Sequence, residues 1–127
     1  MLLLDGQALL WMLDDSPRLG PQARQAITSA QGVHVSAATV WELTIKSMLG
    51  KLTVPPDLGK KLPGQGVELL RVTAEHAEAI REFPELIRHD PFDRLIVAQA
   101  SRAGLQLLTA DHVLLDLHRD FIIDASR

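Results

Sequence analysis

Four carboxylates stand out for the company they keep. Asp93 opens the stripe 93–96–97–100 of a helix that begins within RHDPFDRLIVAQA (88–100), and the rest of that stripe is apolar. Glu42 lies on the stripe 38–42–45–49, which reads Ala, Glu, Ile, Leu; the neighbouring stripe 38–41–45–48 reads Ala, Trp, Ile, Met. Glu42 therefore faces or borders a buried side. Asp5 ends the apolar run LLL at 2–4, and Asp111 lies just past LQLLT at 105–109. A carboxylate turned toward a core is expensive unless a cation or a hydrogen-bond donor meets it. Two carboxylates ~5 Å apart at an effective dielectric of ~20 repel by roughly 3 kcal/mol, so converging acids need counter-charge or raised pKa values. A divalent cation supplies the first, and an all-oxygen ligand set favours a hard ion, Mg²⁺ or Mn²⁺, over zinc.

Each acid taken alone has a plainer account. Asp93 is the third residue of a helix capped by Asp90 and would favour the helix dipole. Glu42 has Lys46 one turn on, a standard helical ion pair. Asp5 and Asp111 could simply cap the helices that follow them. Jointly they are harder to dismiss, because the elements that carry them have a common geometry.

Those elements alternate. An apolar run at 2–4 leads into QALLWML with helical spacing, broken by DDSP. PQARQAITSA (21–30) is a modest helix and VHV (33–35) a short strand. Ser36 caps a long helix, AATVWELTIKSML, stopped by Gly50. Residues 53–66 are rich in Pro, Gly and Lys and read as a loop with room for one helical turn; VELLRV (67–72) reads as a strand, and Thr73 caps AEHAEAIREF. The helix from Pro91 ends at Gly104, LQLLT (105–109) is a strand, a short helix spans about 112–117, and FIID (121–124) is the last strand. This pattern predicts an α/β domain over 1–127: a parallel sheet of about five short strands with helices on both faces and right-handed crossovers. Open parallel sheets bind ligands at the carboxyl ends of their strands, where Asp5 and Asp111 fall.

The bulk numbers bound the function. The 127 residues are 46% hydrophobic and 23% charged, ordinary for a globular chain with a real core. No cysteine is present, which excludes a disulfide framework and a thiolate metal site. The start, MLLLDGQALLWML, is apolar but holds Asp5 and no basic region, so neither a signal peptide nor a membrane span is expected, and the cytoplasm is the expected location. A net charge of −3 makes the whole chain no magnet for polyanions, yet residues 46–61 carry a local +3 and 111–124 a local −3.

Four stretches in this order, LLLDGQALLW (2–11), VSAATVWELTIKSMLGKL (35–52), HDPFDRLIVAQA (89–100) and LLTAD (107–111), resemble the PIN-domain ribonucleases. The likeness is greatest to the VapC-type toxins of bacterial toxin–antitoxin pairs. The resemblance runs nearly end to end. It implies a dimeric α/β protein whose acids bind Mg²⁺ or Mn²⁺ and hydrolyse RNA, with a cognate antitoxin protein as partner and no membrane association. Residue by residue it places the family's acids on Asp5, Glu42, Asp93 and Asp111. One departure is visible: relatives often read Asp-Thr-His where this chain has Asp5-Gly6-Gln7. That departure motivates the alternative of a PIN scaffold that binds RNA or a protein without cutting.

Around the acids, Lys46 and Arg94 are candidates for phosphate contact, against an ion pair with Glu42 and a solvated surface, respectively. Lys51, Lys60 and Lys61 read as a more general phosphate-contacting patch. Thr109 is grouped with the substrate contacts; it could hydrogen-bond a neighbouring acid, or equally be an ordinary strand-end threonine. Asp90 reads as a cap close enough to support the cluster. His89 is assigned to the helix start rather than to ligation, and His34, His76, His112 and His118 lack zinc-type spacing. Trp11 and Trp41 are assigned to the core; the leucine-rich first helix could form a groove, a dimer surface or core. A phosphorelay receiver would need an Asp after the third strand, where Arg71-Val72-Thr73 stands. A haloacid-dehalogenase-type phosphatase would need an Asp at position 7, which is Gln.

Overall fold

Leu2–Leu4 form a fully buried strand, β1, and helix α1 (Gly6–Leu13) starts directly after it because the Asp5 side chain accepts the Ala8 N–H at 2.8 Å. This computed structural model describes residues 1–127. Helix α2 (Pro21–Ser29) carries proline in its first turn, and strand β2 (Val33–Ser36) hands the chain to α3 (Ala37–Met48), whose cap is the Ser36 hydroxyl, 3.0 Å from the Ala38 N–H. A short α4 (Leu58–Lys61) precedes β3 (Val67–Leu70) and α5 (Ala74–Glu78). Then α6 (Pro91–Ala103) leads into β4 (Gln106–Thr109), α7 (His112–Leu115) and β5 (Ile122–Asp124). Helix α6 stops at Gly104, whose φ of 68° is the left-handed conformation glycine adopts without a Cβ penalty.

The five strands form one sheet in the order β3-β2-β1-β4-β5, and every neighbouring pair is parallel. Successive strand residues face opposite sides, so two cores result. Leu4 and Leu108 join Val35, Ala8, Leu9 and Leu43 on one face, whereas Leu3 and Leu107 join Ile96, Val97, Phe83 and Leu114 on the other. This is the α/β sandwich expected from the alternation of elements. From β1 the chain builds outward through β2 and β3 on one side and through β4 and β5 on the other. The crevice beyond the ends of β1 and β4 is thus the place where strand order reverses.

Three local expectations are corrected. The strand expected to reach residue 72 ends at Leu70. The helix expected through Phe83 is α-helical only to Glu78 and tightens into a 3-10 turn at Ala79–Glu82. Pro84 disfavours α conformation at the residue before it, and Phe83 sits at φ −123° and ψ 61°. Trp41 is not core: it is 62% exposed, set edge-on against Phe92 with ring centroids 5.1 Å apart. The reason is that α3 packs against α1 and α6 through Ala38, Thr39, Glu42 and Leu43, which leaves the Trp41–Met48 side outward. No helix is long and apolar enough to cross a membrane.

Candidate metal centre

The four acids reach one cleft from four different elements. Asp5 follows β1 and Asp111 follows β4, and these strands pair Leu4 with Leu108, so their ends are adjacent. Helix α3 brings Glu42 in from the end of β2, and α6 presents Asp93 in its first turn. Together with Lys46, His89 and Asp90 they line a cleft of about 600 Å³, walled on one side by Leu10, Trp11 and Leu52. Trp11, assigned to the core, is partly buried: it packs against the core of that face and also lines this cleft.

Capping and clustering are the same act here. Asp111 caps α7 through Oδ1, which accepts the Val113 and Leu114 N–H groups at 2.8 and 3.2 Å, and its Oδ2 stays free to face the cluster. Asp90 caps α6 in the same manner, accepting from Phe92 and Asp93 through Oδ1. Asp5 is held at both oxygens: Ala8 N–H donates to Oδ1, and the Thr109 hydroxyl donates to Oδ2 at 2.5 Å. Gly6 permits the tight approach of α3, since a Cβ there would stand 3.2 Å from Leu43 Cδ2 and 3.4 Å from Glu42 Oε1. The space beside the first acid is thus taken by α3 itself.

The electrostatics show a cluster short of positive charge. Burial pushes Asp5 up to about 6, against the pull of Thr109 and the Ala8 N–H, with Asp111 and Glu42 adding repulsion. Asp93 is raised to about 7, first by burial and then by Asp111, Asp90 and Glu42, while the His89 hydrogen bond holds it down. Burial would lower Lys46, but its hydrogen bond to Glu42 and the charges of Glu42, Asp90 and Asp93 outweigh that and raise it. Its one ion pair, Nζ to Glu42 Oε2 at 3.1 Å, spans a single turn of α3. Ligand atoms of Glu42, Asp90 and Asp93 lie within 4.8 Å of one another, and so do those of His89, Asp93 and Asp111. Carboxylates that repel one another with unused oxygens turned inward fit a hard divalent cation. Asp5 lines the same cleft but belongs to neither triplet.

Three further residues around the acids have definite partners. Thr109 is fully buried and its hydroxyl donates to Asp5, the bond to a neighbouring acid that its place at the strand end allowed. Arg94 turns away from the cleft, its Nη1 donating to the Ile87 carbonyl at 3.1 Å, where it braces the segment before α6. His89, set aside as a helix-start residue, places Nε2 2.9 Å from Asp93 Oδ2 and 3.8 Å from Asp111 Oδ2. The signal for it was its spacing of four from Asp93, which brings the two side chains together across the helix start.

The Thr109 bond has a measurable consequence. Thr109→Val should raise the Asp5 pKa further and cost about 2 kcal/mol at pH 8, where a buried charged acceptor loses its donor. Less of that cost should remain at pH 5, where Asp5 holds its proton. Urea unfolding at both pH values checks this; equal costs would mean that the hydroxyl does not act on the Asp5 charge.

A family model described as PIN domain matches residues 2–119. The chain is 30% identical over 114 residues to Ribonuclease VapC22 of Mycobacterium tuberculosis, covering 88% of each. Among solved structures it is similar to a toxin–antitoxin complex from Klebsiella pneumoniae, at 15% identity and TM-score 0.65, covering 97% of this chain and 96% of that one. It is also similar to VapBC2 from Rickettsia felis bound to a promoter DNA fragment, at 15% identity and TM-score 0.69, with 97% of each chain covered.

Proposed function

Because the chain belongs to the PIN-domain family, we propose that it is a divalent-metal-dependent endoribonuclease and the toxin of a toxin–antitoxin pair. The observation that carries this is the cleft itself. Asp5, Glu42, Asp93 and Asp111 converge at the switch point of the sheet, two of them with pKa values driven well above the ordinary carboxylate range. Acids kept together against their repulsion point to a cation that the function requires. The name of the M. tuberculosis relative supports RNA as substrate, and the titles of both solved neighbours support an antitoxin protein as partner.

Asp93, Asp111 and Asp5 would hold one ion, Mg²⁺ or Mn²⁺, with Glu42 completing that site or serving a second. Such a cation supplies charge that polarises a phosphodiester and eases loss of a proton from an attacking water. The chain's own groups do the rest. The Ala8 N–H and the Thr109 hydroxyl fix the Asp5 carboxylate, the helix starts at Asp90 and Asp111 place Asp93 and Asp111, and Lys46 holds Glu42. Lys46 stands at the cleft with its ammonium on Glu42, where an RNA phosphate can share it. Leu10, Trp11 and Leu52 give the cleft an apolar part of its lining. No side-chain nucleophile is needed.

Calorimetric titration of Mn²⁺ into the partner-free protein, beside Asp5→Asn, tests the reading without a guess about the RNA. Saturable binding lost in the variant supports a cation site built on these acids. Binding absent up to millimolar metal, with both proteins folded, would turn the reading toward the scaffold that binds without cutting.

A further inference from the structure

We infer that His89 is itself a cation ligand, so that the cleft holds two unlike positions sharing Asp93: one all-oxygen, and one with an imidazole nitrogen that favours Mn²⁺ over Mg²⁺. The inference rests on the cation site proposed above and goes beyond it, because those ligands are all acids: His89 joins the ion given to Asp5, Asp93 and Asp111, and Glu42 serves the second position with Asp90 and Asp93. A single ring nitrogen, His89 Nε2, faces carboxylate oxygens from two separate elements, Asp93 of α6 and Asp111 beside α7. These three residues bring their ligand atoms within 4.8 Å of one another, as do Glu42, Asp90 and Asp93. The two sets differ in chemistry. Glu42, Asp90 and Asp93 offer only oxygen, which suits Mg²⁺ and Mn²⁺ alike. His89, Asp93 and Asp111 offer one nitrogen and two oxygens. Imidazole suits first-row transition metals, and Mg²⁺ gives up its waters reluctantly for anything but oxygen.

The oxygens concerned are the ones that local structure leaves over. Asp111 spends Oδ1 on the first turn of α7, and the oxygen facing His89 is Oδ2. The imidazole is itself mostly enclosed, 22% exposed, and it lines the cleft with the acids. A neutral nitrogen ligand would also add coordination without adding to the carboxylate repulsion.

Pulsed EPR of the Mn²⁺-loaded protein reads this directly. The expected result is a directly coupled ¹⁴N signal of imidazole type, replaced by a ¹⁵N signal when the protein is grown with ¹⁵N-histidine. That substitution leaves the fold untouched. His89→Gln should remove the signal and weaken Mn²⁺ about tenfold, with a much smaller change for Mg²⁺. Mn²⁺ bound without a coupled nitrogen would overturn the inference and leave the acidic site standing. Mn²⁺ failing to bind the wild-type protein at all would overturn both. A nitrogen signal that persists in folded His89→Gln would place the ligand elsewhere and also overturn it.

Discussion

Asp93→Asn should lower RNA cleavage by at least on the order of a hundredfold while making the metal-free protein more stable at pH 8. The two effects have opposite signs and one origin. Residues that merely support a metal ligand cost about 10–100-fold when removed, so a carboxylate common to both ligand triplets should cost more. The stability gain follows from proton linkage. Asp93 is raised from 3.8 to about 7 by burial and by Asp111, Asp90 and Glu42. For an acid whose folded pKa lies above its unfolded one, the folded state binds the extra proton between the two values, so stability falls as pH rises through that window. Above it the full penalty is present. A shift of this size corresponds to roughly 4 kcal/mol, and with the carboxylate partly open to the cleft about 2 kcal/mol is the expected gain on neutralising it. Urea unfolding at pH 8 with a chelator present, beside a cleavage assay with metal, reads both. Lost cleavage together with lost stability would mean that Asp93 holds the fold rather than the reaction. Retained cleavage would remove Asp93 from the proposed site.

That trade between stability and charge explains why the acids were visible in the sequence at all. Glu42 sits in a run of Ala, Ile and Leu and Asp93 heads an apolar stripe, so each breaks a pattern that packing alone would have completed. The convergence of Asp5 and Asp111 was legible because alternation of strand and helix implies a parallel sheet, and both lie at strand ends. Caps were legible for the same local reason: Ser36, Asp90 and Gly104 act within one turn of themselves.

What depends on the mutual placement of elements was not legible. Trp41 and Glu42 are one residue apart on α3, and two stripes on that helix were nearly equal in apolar content. Contact with α1 and α6 selects the face with Glu42 and Leu43 and leaves Trp41 outward against Phe92. A bond from Thr109 to some neighbouring acid was open in the sequence, but which acid follows only from the pairing of β4 with β1, which sets its hydroxyl against Asp5, 104 residues away in sequence. His89 reads as a helix-start residue because its neighbours are carboxylates, Asp93 a single turn on and Asp111 beyond β4. The departure at Gly6-Gln7 also takes on a physical meaning only in three dimensions, where Leu43 and Glu42 crowd the position a side chain would have used.

The same raised acids should make metal affinity steeply dependent on pH, in the sense opposite to metal-free stability. A cation competes with the protons on its ligands. With Asp93 raised to about 7 and Asp5 to about 6, chiefly by burial in both cases, both carboxylates are ionised at pH 8 and both are mostly protonated at pH 5.5. If binding must displace both protons, apparent Mn²⁺ affinity should fall about a hundredfold between pH 8 and pH 5.5, with most of the fall below pH 7. Metal-free stability should rise over the same descent, since the penalty for burying the charges disappears as they take up protons. Thermal unfolding with and without Mn²⁺ at pH 8, 7, 6 and 5.5 separates the two trends. The stabilisation by Mn²⁺ should be largest at pH 8 and shrink toward pH 5.5, while the metal-free melting temperature moves the other way across the range set by Asp5 and Asp93. An Mn²⁺ effect of constant size over that range would mean that the ion binds groups already ionised at pH 5.5, and neither raised carboxylate could then be among its ligands.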